Sequence, residues 1–153
     1  MSKAISDLTV LLRTMEPVLN EGVYVYSVVP LSTDLSAVPA VATFREVEGL
    51  TLITTEAEAA RAGLPVLFRA AWITLNVQSD LQAVGLTAAF SRALSDAGIS
   101  CNVVAAAFHD HIFVPVELAH EALACLRALQ ERGIAVNAWP NGEPHFQVEP
   151  ISD

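Results

Sequence analysis

Charge, and positive charge above all, is scarce in this sequence. Only 16% of its 153 residues are charged, and 8 Lys and Arg stand against 17 Asp and Glu, for a formal net charge of −9. A nucleic-acid-binding protein is expected to carry a basic patch that neutralises phosphates, and the scattered cations of this chain form none. The same deficit disfavours anionic membrane surfaces. The composition therefore predicts neither a nucleic-acid nor a membrane partner.

Long apolar runs and paired cysteine motifs are also missing. No run reaches the roughly 20 apolar residues that a membrane-spanning helix needs. The two cysteines, Cys101 and Cys125, lie in apolar segments without CxxC spacing, which predicts buried thiols instead of a redox or zinc site. The opening residues MSKAISDLTV do not resemble a signal peptide, so the cytoplasm is the expected location. A mean hydropathy of +0.46 indicates a core plus an apolar surface that an oligomer would bury.

The first 66 residues contain short amphipathic and β-branched segments. The predicted elements are a helix in ISDLTVLLRTM, a strand at Gly22–Val29, a hairpin of Ala40–Val47 and Leu50–Thr54, and a helix in TEAEAARAGL. Asp7 or Ser6 is expected to cap the first helix. Thr55 is expected to cap the second, with Glu58 completing a capping box and Gly63 ending the helix. These residues predict a small, irregular α+β unit.

Residues 67–139 predict a more regular unit. Its elements are a strand at Phe68–Val77, a helix in SDLQAVGLTAAFSRALSDAG, strands in ISCNVVAAAF and IFVPV, a helix in ELAHEALACLRALQERG, and a last strand, IAVNAW. The order β-α-β-β-α-β, with two helices on one face of an antiparallel sheet, is the ferredoxin-like arrangement of the α+β class. A Pro-rich, acidic tail follows at residues 140–153. Two small α+β units in tandem are therefore expected.

The segment FHDHIFVP raises the question of metal or catalytic chemistry. His109 and His111 would share one face of a strand, which suits metal ligation. They lie, however, where one strand reverses into the next, and Asp110 is a preferred turn residue because its side chain bonds nearby backbone. The sequence supplies no obvious third ligand and no G-x-S-x-G nucleophile motif. A hairpin turn held by Asp110 is the favoured interpretation, and a metal site is the alternative.

The segment SDLQAVGL joins a strand to a helix and offers a different kind of site. Either Ser79 caps the helix with Gln82 as its capping-box partner, or these residues form a loop and the helix begins near Ala83. In both cases unpaired backbone N–H groups converge there, which favours a bound carboxylate. Gly85 lets another backbone or a ligand approach closely, although simple packing against a neighbour also explains it. Asp80 is placed to meet a ligand ammonium group, or it is a solvated first-turn acid.

Several longer phrases of the chain resemble a known family. EVEGLTLI, SDLQAVGLTAA, GISCNVVA and HDHIFVP are similar to recurrent phrases of small bacterial tandem ACT domain proteins. Gly85 and the Gly98–Ile99 pair stand where the general ACT pattern has a glycine in the strand-to-helix loop and a GI before the next strand. The resemblance covers roughly residues 5–138 and extends more distantly to the ACT modules of aspartate kinases and of cytosolic arginine sensors.

The resemblance implies a βαββαβ fold used twice, and regulation instead of catalysis. It implies a small-molecule ligand, often an amino acid, bound near the strand-to-helix loop of the second unit and against a strand of a neighbouring ACT unit. On this chain the matching positions are Ser79, Asp80, Val84, Gly85, Leu86, Asn102 and Val103, with Thr54 and Thr55 as secondary candidates. Ordinary strand packing is the alternative explanation for Asn102 and Val103. No catalytic residue, cofactor or metal is expected.

Three hypotheses follow from the sequence. The first is a cytoplasmic amino-acid-binding regulatory protein that forms a homodimer. The second is a ligand-independent protein-interaction module that uses an apolar surface. The third is a metal-dependent enzyme built on His109, Asp110 and His111.

Overall fold

The computed structural model describes residues 7–132, which form one sheet with helices packed on it. The strands are Pro17–Leu19 (β1), Tyr24–Val29 (β2), Ala40–Arg45 (β3), Leu50–Thr55 (β4), Phe68–Leu75 (β5), Asn102–Ala105 (β6) and Asp110–Pro115 (β7). The helices are Leu8–Thr14 (α1), Glu56–Arg61 (α2), Leu86–Asp96 (α3) and Ala119–Arg132 (α4), with a 3-10 turn at Val116–Leu118. The predicted last strand IAVNAW and the predicted tail lie outside the described residues.

A single strand, β5, holds the sheet together. The strand order is β3-β4-β2-β5-β7-β6, and every pairing is antiparallel. β1 also pairs with β5, on the edge that β2 uses, so β1 and β2 follow one another along the same side. The backbone N–H of Asn20 donates to the Trp72 carbonyl at 2.8 Å and continues the pairing between them. β5 therefore pairs with strands from both halves of the chain.

One face of the sheet carries the main core. Ala71, Ile73 and Leu75 alternate along β5 and point toward α1, α3 and α4. Phe90 and Leu94 of α3 are fully buried there, as their four-residue spacing predicts. The prediction of helices on one face of an antiparallel sheet is confirmed.

The other face of the sheet is rich in aromatic side chains. Trp72 lies at its centre, with its ring centroid 5.1 Å from that of Tyr24 in an edge-to-face contact and 6.0 Å from that of Phe113 in a stacked contact. Tyr26 meets Phe113 edge to face at 5.7 Å. These rings bury one another, so Tyr24 and Phe113 are almost inaccessible on this face.

Two local predictions about helix ends are confirmed. Asp7 accepts a hydrogen bond from the Val10 N–H at 3.0 Å, which caps α1. Thr55 accepts one from the Glu58 N–H at 3.2 Å, which caps α2. The Glu58 carboxylate turns to Arg61 instead, with Nε to oxygen at 2.8 Å.

Candidate functional site at the meeting of two loops

The loop that follows β5 has its own turn and is not the first turn of a helix. Asp80 accepts a hydrogen bond from the Gln82 N–H at 2.9 Å, and the Asp80 carbonyl accepts one from Ala83 at 2.8 Å. This local pairing satisfies the backbone without a helix, and α3 begins only at Leu86. The prediction that Ser79 caps the helix is therefore wrong. The alternative of a loop at these residues is correct, with a later helix start than Ala83.

Gly85 is needed where it stands for two reasons. Its φ of +103° lies in a region that side chains disfavour, and a Cβ built there would meet Leu8 Cδ2 at 2.8 Å. The close neighbour that the sequence anticipated is thus an α1 side chain. Gly85 is the N-cap of α3, and no side chain caps that helix. The first N–H groups of α3 therefore have no side-chain acceptor among residues 7–132.

The segment FHDHIFVP forms the hairpin that the sequence predicted. The Ala106 N–H donates to the His109 carbonyl at 3.0 Å and closes the turn between β6 and β7. Asp110, however, does not hold that turn. It is the first residue of β7, it is only 6% exposed, and its Oδ2 accepts a hydrogen bond from Ser79 Oγ at 3.3 Å. The expectation about Asp110 is wrong because strand alternation turns its side chain toward the helix-covered face.

The two segments that the sequence offered as separate sites are neighbours. Leu75 pairs with Asp110 in the β5–β7 register, so the loop after β5 and the hairpin before β7 lie at the same end of the sheet. The contact between Ser79 and Asp110 joins them, and His109 Nδ1 lies 3.3 Å from the Val77 carbonyl. These contacts link residues 31 and 32 positions apart. We call this meeting of residues 76–85 and 106–110 the loop junction.

His111 lies on the opposite, aromatic face. The Trp72 Nε1–H donates to His111 Nδ1 at 3.0 Å, and Thr74 Oγ1 lies 3.2 Å from the same nitrogen. Because an indole nitrogen only donates, His111 Nδ1 accepts from Trp72 and carries no proton. Burial, followed by the charge of His109, lowers the pKa of His111 below its ordinary 6.5. His111 Nδ1 therefore already accepts from Trp72, on the aromatic face, whereas His109 Nδ1 lies near the Val77 carbonyl at the end of the sheet.

Metal ligation gains no support from this arrangement. Across residues 7–132, no three His, Cys, Asp or Glu side chains gather closely enough to hold a metal ion. The nearest pair in the sequence, His109 and His111, direct their Nδ1 atoms to different protein partners.

The other predicted ligand-binding residues occupy different surroundings. Val84 is 84% exposed in the loop, whereas Leu86 is buried in the main core. On β6, at one end of the sheet, Val103 packs against that core and Asn102 donates from Nδ2 to the Phe113 carbonyl at 3.3 Å. No hydrogen bond within the described residues joins β6 to the loop of residues 76–85.

The secondary candidates have structural partners. Thr54 is fully buried, and its hydroxyl donates to the Pro39 carbonyl at 2.6 Å. Thr55 caps α2, as described above. Both hydroxyls thus stabilise the first half of the sheet.

The fold is that of the ferredoxin-like α+β class, and comparison with known families makes this specific. Profiles of the ACT domain match residues 3–71 and residues 67–128. The chain therefore belongs to the ACT domain family, whose members are regulatory domains that typically bind small molecules. The two matches overlap at residues 67–71, inside the segment that contains the start of β5.

Solved structures support the fold. A protein of unknown function from Vibrio cholerae, described as a possible transport protein, is 45% identical, with a TM-score of 0.73 over 80% of this chain and 95% of that one. The regulatory subunit of aspartate kinase from Thermus thermophilus is 10% identical, with a TM-score of 0.58 over 77% of this chain and 97% of that one. At this low identity the second comparison shows the fold alone. No curated protein sequence matches the chain.

Between residues 7 and 132, no helix combines the length and the apolar character that crossing a bilayer requires.

Proposed function

We propose that this protein is a non-catalytic regulatory module that binds an amino acid at the loop junction. The observation that supports this proposal most is the hydrogen bond between Ser79 and Asp110. It joins two polar segments into one site in a chain of the ACT family. The uncapped start of α3 offers N–H groups to a carboxylate, and the turn held by Asp80 precedes that helix. The site needs no metal or cofactor.

A second copy of the chain completes this site in our proposal. β6 stands at one end of the described sheet order, where it can meet a neighbouring ACT unit. Asn102 and Val103 on that strand would then face the loop of the partner. The apolar surface buried in such a homodimer also accounts for the mean hydropathy of +0.46. We propose that the dimer is cytoplasmic.

Ligand-induced stabilisation tests the proposal. The purified protein is heated with each of the twenty proteinogenic amino acids, and calorimetry follows for any that raise its Tm. An amino acid at 100 times its Kd should add about 2.7 kcal/mol to the free energy of unfolding. If none of the twenty stabilises the protein, the proposed function is wrong.

Two tryptophan variants test whether the amino acid binds at the loop junction. Val84→Trp changes a side chain that is 84% exposed, so it should fill the site at little cost to the fold. Val47→Trp, at a position 93% exposed in the β3–β4 hairpin, is the matched control. We expect Val84→Trp to abolish the amino-acid-induced rise in Tm and Val47→Trp to keep it. Loss in both variants, or in neither, contradicts the location.

A ligand-independent interaction module is the second candidate. The observation that favours it is the set of large apolar side chains that are strongly exposed: Phe44, Val47, Leu67, Leu81, Val84 and Phe108. A protein partner whose affinity does not change when amino acids are added, together with no amino-acid-induced rise in Tm, would support this candidate over the first.

A further inference from the structure

Asp110 is a buried carboxylate with few partners. Its side chain is 6% exposed, and Ser79 Oγ at 3.3 Å is its one hydrogen-bond donor among residues 7–132. An ionised carboxylate has room for about four donors, and burying one without compensation is costly. Its burial accordingly raises the pKa of Asp110 above the ordinary 3.8. A second, stronger donor is what this group lacks.

No cationic side chain of the described residues fills that need. The ion pairs there engage Glu56, Glu58 and Asp96, and none includes Asp110. The neighbouring imidazoles direct their Nδ1 atoms elsewhere, His109 toward the Val77 carbonyl and His111 toward Trp72. Asp110 therefore forms no ion pair within residues 7–132, and the only cations that act on it there are the nearby His111 and His109, whose charges lower its pKa.

The second oxygen of Asp110, Oδ1, is not fully sealed from solvent. Within residues 7–132, every side-chain nitrogen or oxygen that is sealed from solvent has a hydrogen-bond partner. Oδ1 of Asp110 has none there, since Ser79 bonds Oδ2. Oδ1 is therefore in slight contact with solvent, in a residue that is 6% exposed as a whole.

The sequence suggested Asp80 as the acid that meets a ligand ammonium group. In the structure, the Asp80 side chain is a hydrogen-bond acceptor within its own loop. Its Oδ1 accepts the Gln82 N–H at 2.9 Å and holds the turn that precedes Gly85. Asp110 lies deeper at the same junction, and Ser79 links it to the loop. Of the two acids, Asp110 is the one that accepts no backbone N–H and forms no ion pair among residues 7–132.

We propose that Asp110 receives the ammonium group of the bound amino acid, so that this residue makes the site reject analogues that lack the group. This inference rests on the proposed function and specifies its ligand class. A charge-assisted hydrogen bond in a site sheltered from water is stronger than one between neutral groups. Ser79 acts as a positioning residue that fixes the orientation of the carboxylate.

The first test uses the unaltered protein and matched ligands. The amino acid that gives the largest rise in Tm is compared by calorimetry with its 2-hydroxy acid, in which a hydroxyl replaces the ammonium group. We expect the 2-hydroxy acid to bind roughly 10- to 100-fold more weakly. Equal affinity overturns the assignment of Asp110 and leaves the proposed function intact. Absence of binding by all twenty amino acids overturns both.

The second test uses Asp110→Asn, which keeps the shape of the side chain and removes its charge. The variant should lose the same roughly 10- to 100-fold in affinity for the amino acid and should no longer distinguish it from the 2-hydroxy acid. Asp34→Asn is the control, since Asp34 likewise accepts a hydrogen bond from a serine hydroxyl, Ser36 Oγ at 3.0 Å, but lies in an exposed loop. Unchanged affinity and discrimination in Asp110→Asn contradict the inference. If this variant does not fold, the ligand comparison in the unaltered protein decides.

Discussion

At the scale of single residues, the glycine before α3 is constrained both by its backbone conformation and by a close neighbour. Gly85 combines a φ of +103° with a close approach to Leu8, whereas Gly63 has a φ of +64° and open space around its Cα. The sequence indicated the need for a glycine at residue 85 but not which neighbour approaches it. That neighbour is 77 positions away in the chain, and no local pattern predicts such a contact.

Gly85→Ala should lower the free energy of unfolding more than Gly63→Ala does. Both variants place a side chain at positive φ, which costs about 1–2 kcal/mol. Gly85→Ala also pushes Leu8 out of its place, and we expect about 1 kcal/mol more from that contact. Urea unfolding of both variants at neutral pH measures the difference. Equal losses would show that Leu8 moves aside without cost.

A second prediction at this scale concerns His111 and pH. Its folded-state pKa is lowered, so the folded protein favours the neutral ring that accepts from Trp72. The stabilisation is therefore complete above pH 6.5 and is lost as the pH falls through the lower folded-state pKa. The free energy of unfolding of the wild type relative to His111→Gln should decrease over that interval. His120→Gln, at an exposed position on α4, serves as the control.

At the scale of elements, local chemistry was predictable and long-range pairing was not. The caps at Asp7 and Thr55 and the β6–β7 hairpin follow from residues close in sequence, and all three are confirmed. β1 was missed because three residues beginning with Pro17 form a strand only through β5. The contact between Ser79 and Asp110 was missed for the same reason, since the β5–β7 register creates it.

The N-terminal helix α1 contributes to the main core instead of standing apart. Leu11 is fully buried among residues of α3, α4 and β5, while Val10 in the same helix is 42% exposed. Leu11→Ala should lower the free energy of unfolding by about 2–5 kcal/mol. Val10→Ala, the matched control, should change it by less than about 1 kcal/mol. Similar small effects of both changes, measured by urea unfolding, would mean that α1 is not part of the cooperative fold.

At the scale of the whole molecule, β5 joins the two halves of the sheet. β2 and β4 of the first half and β7 and β6 of the second are linked only through it in the described strand order. The sequence predicted two units in tandem, and nothing in its local patterns indicates that one strand pairs with both. The chain therefore has a continuous sheet across the region where the two ACT profiles overlap.

This arrangement predicts a single cooperative unfolding unit. Leu52→Ala removes a fully buried side chain from β4, in the first half. Because β5 couples the halves, the change should increase hydrogen exchange of the slowest amides in β4 and in β7 by the same factor. Native-state hydrogen exchange measured by mass spectrometry tests this. Faster exchange in β4 alone would mean that the halves open independently.

The shared strand also limits how such a protein can evolve. A gene rearrangement that cut the chain near residue 67 would leave the first repeat without its bordering strand and would separate the second from β1 and β2. Related genes are therefore expected to exchange the two segments that match the ACT domain only as one block.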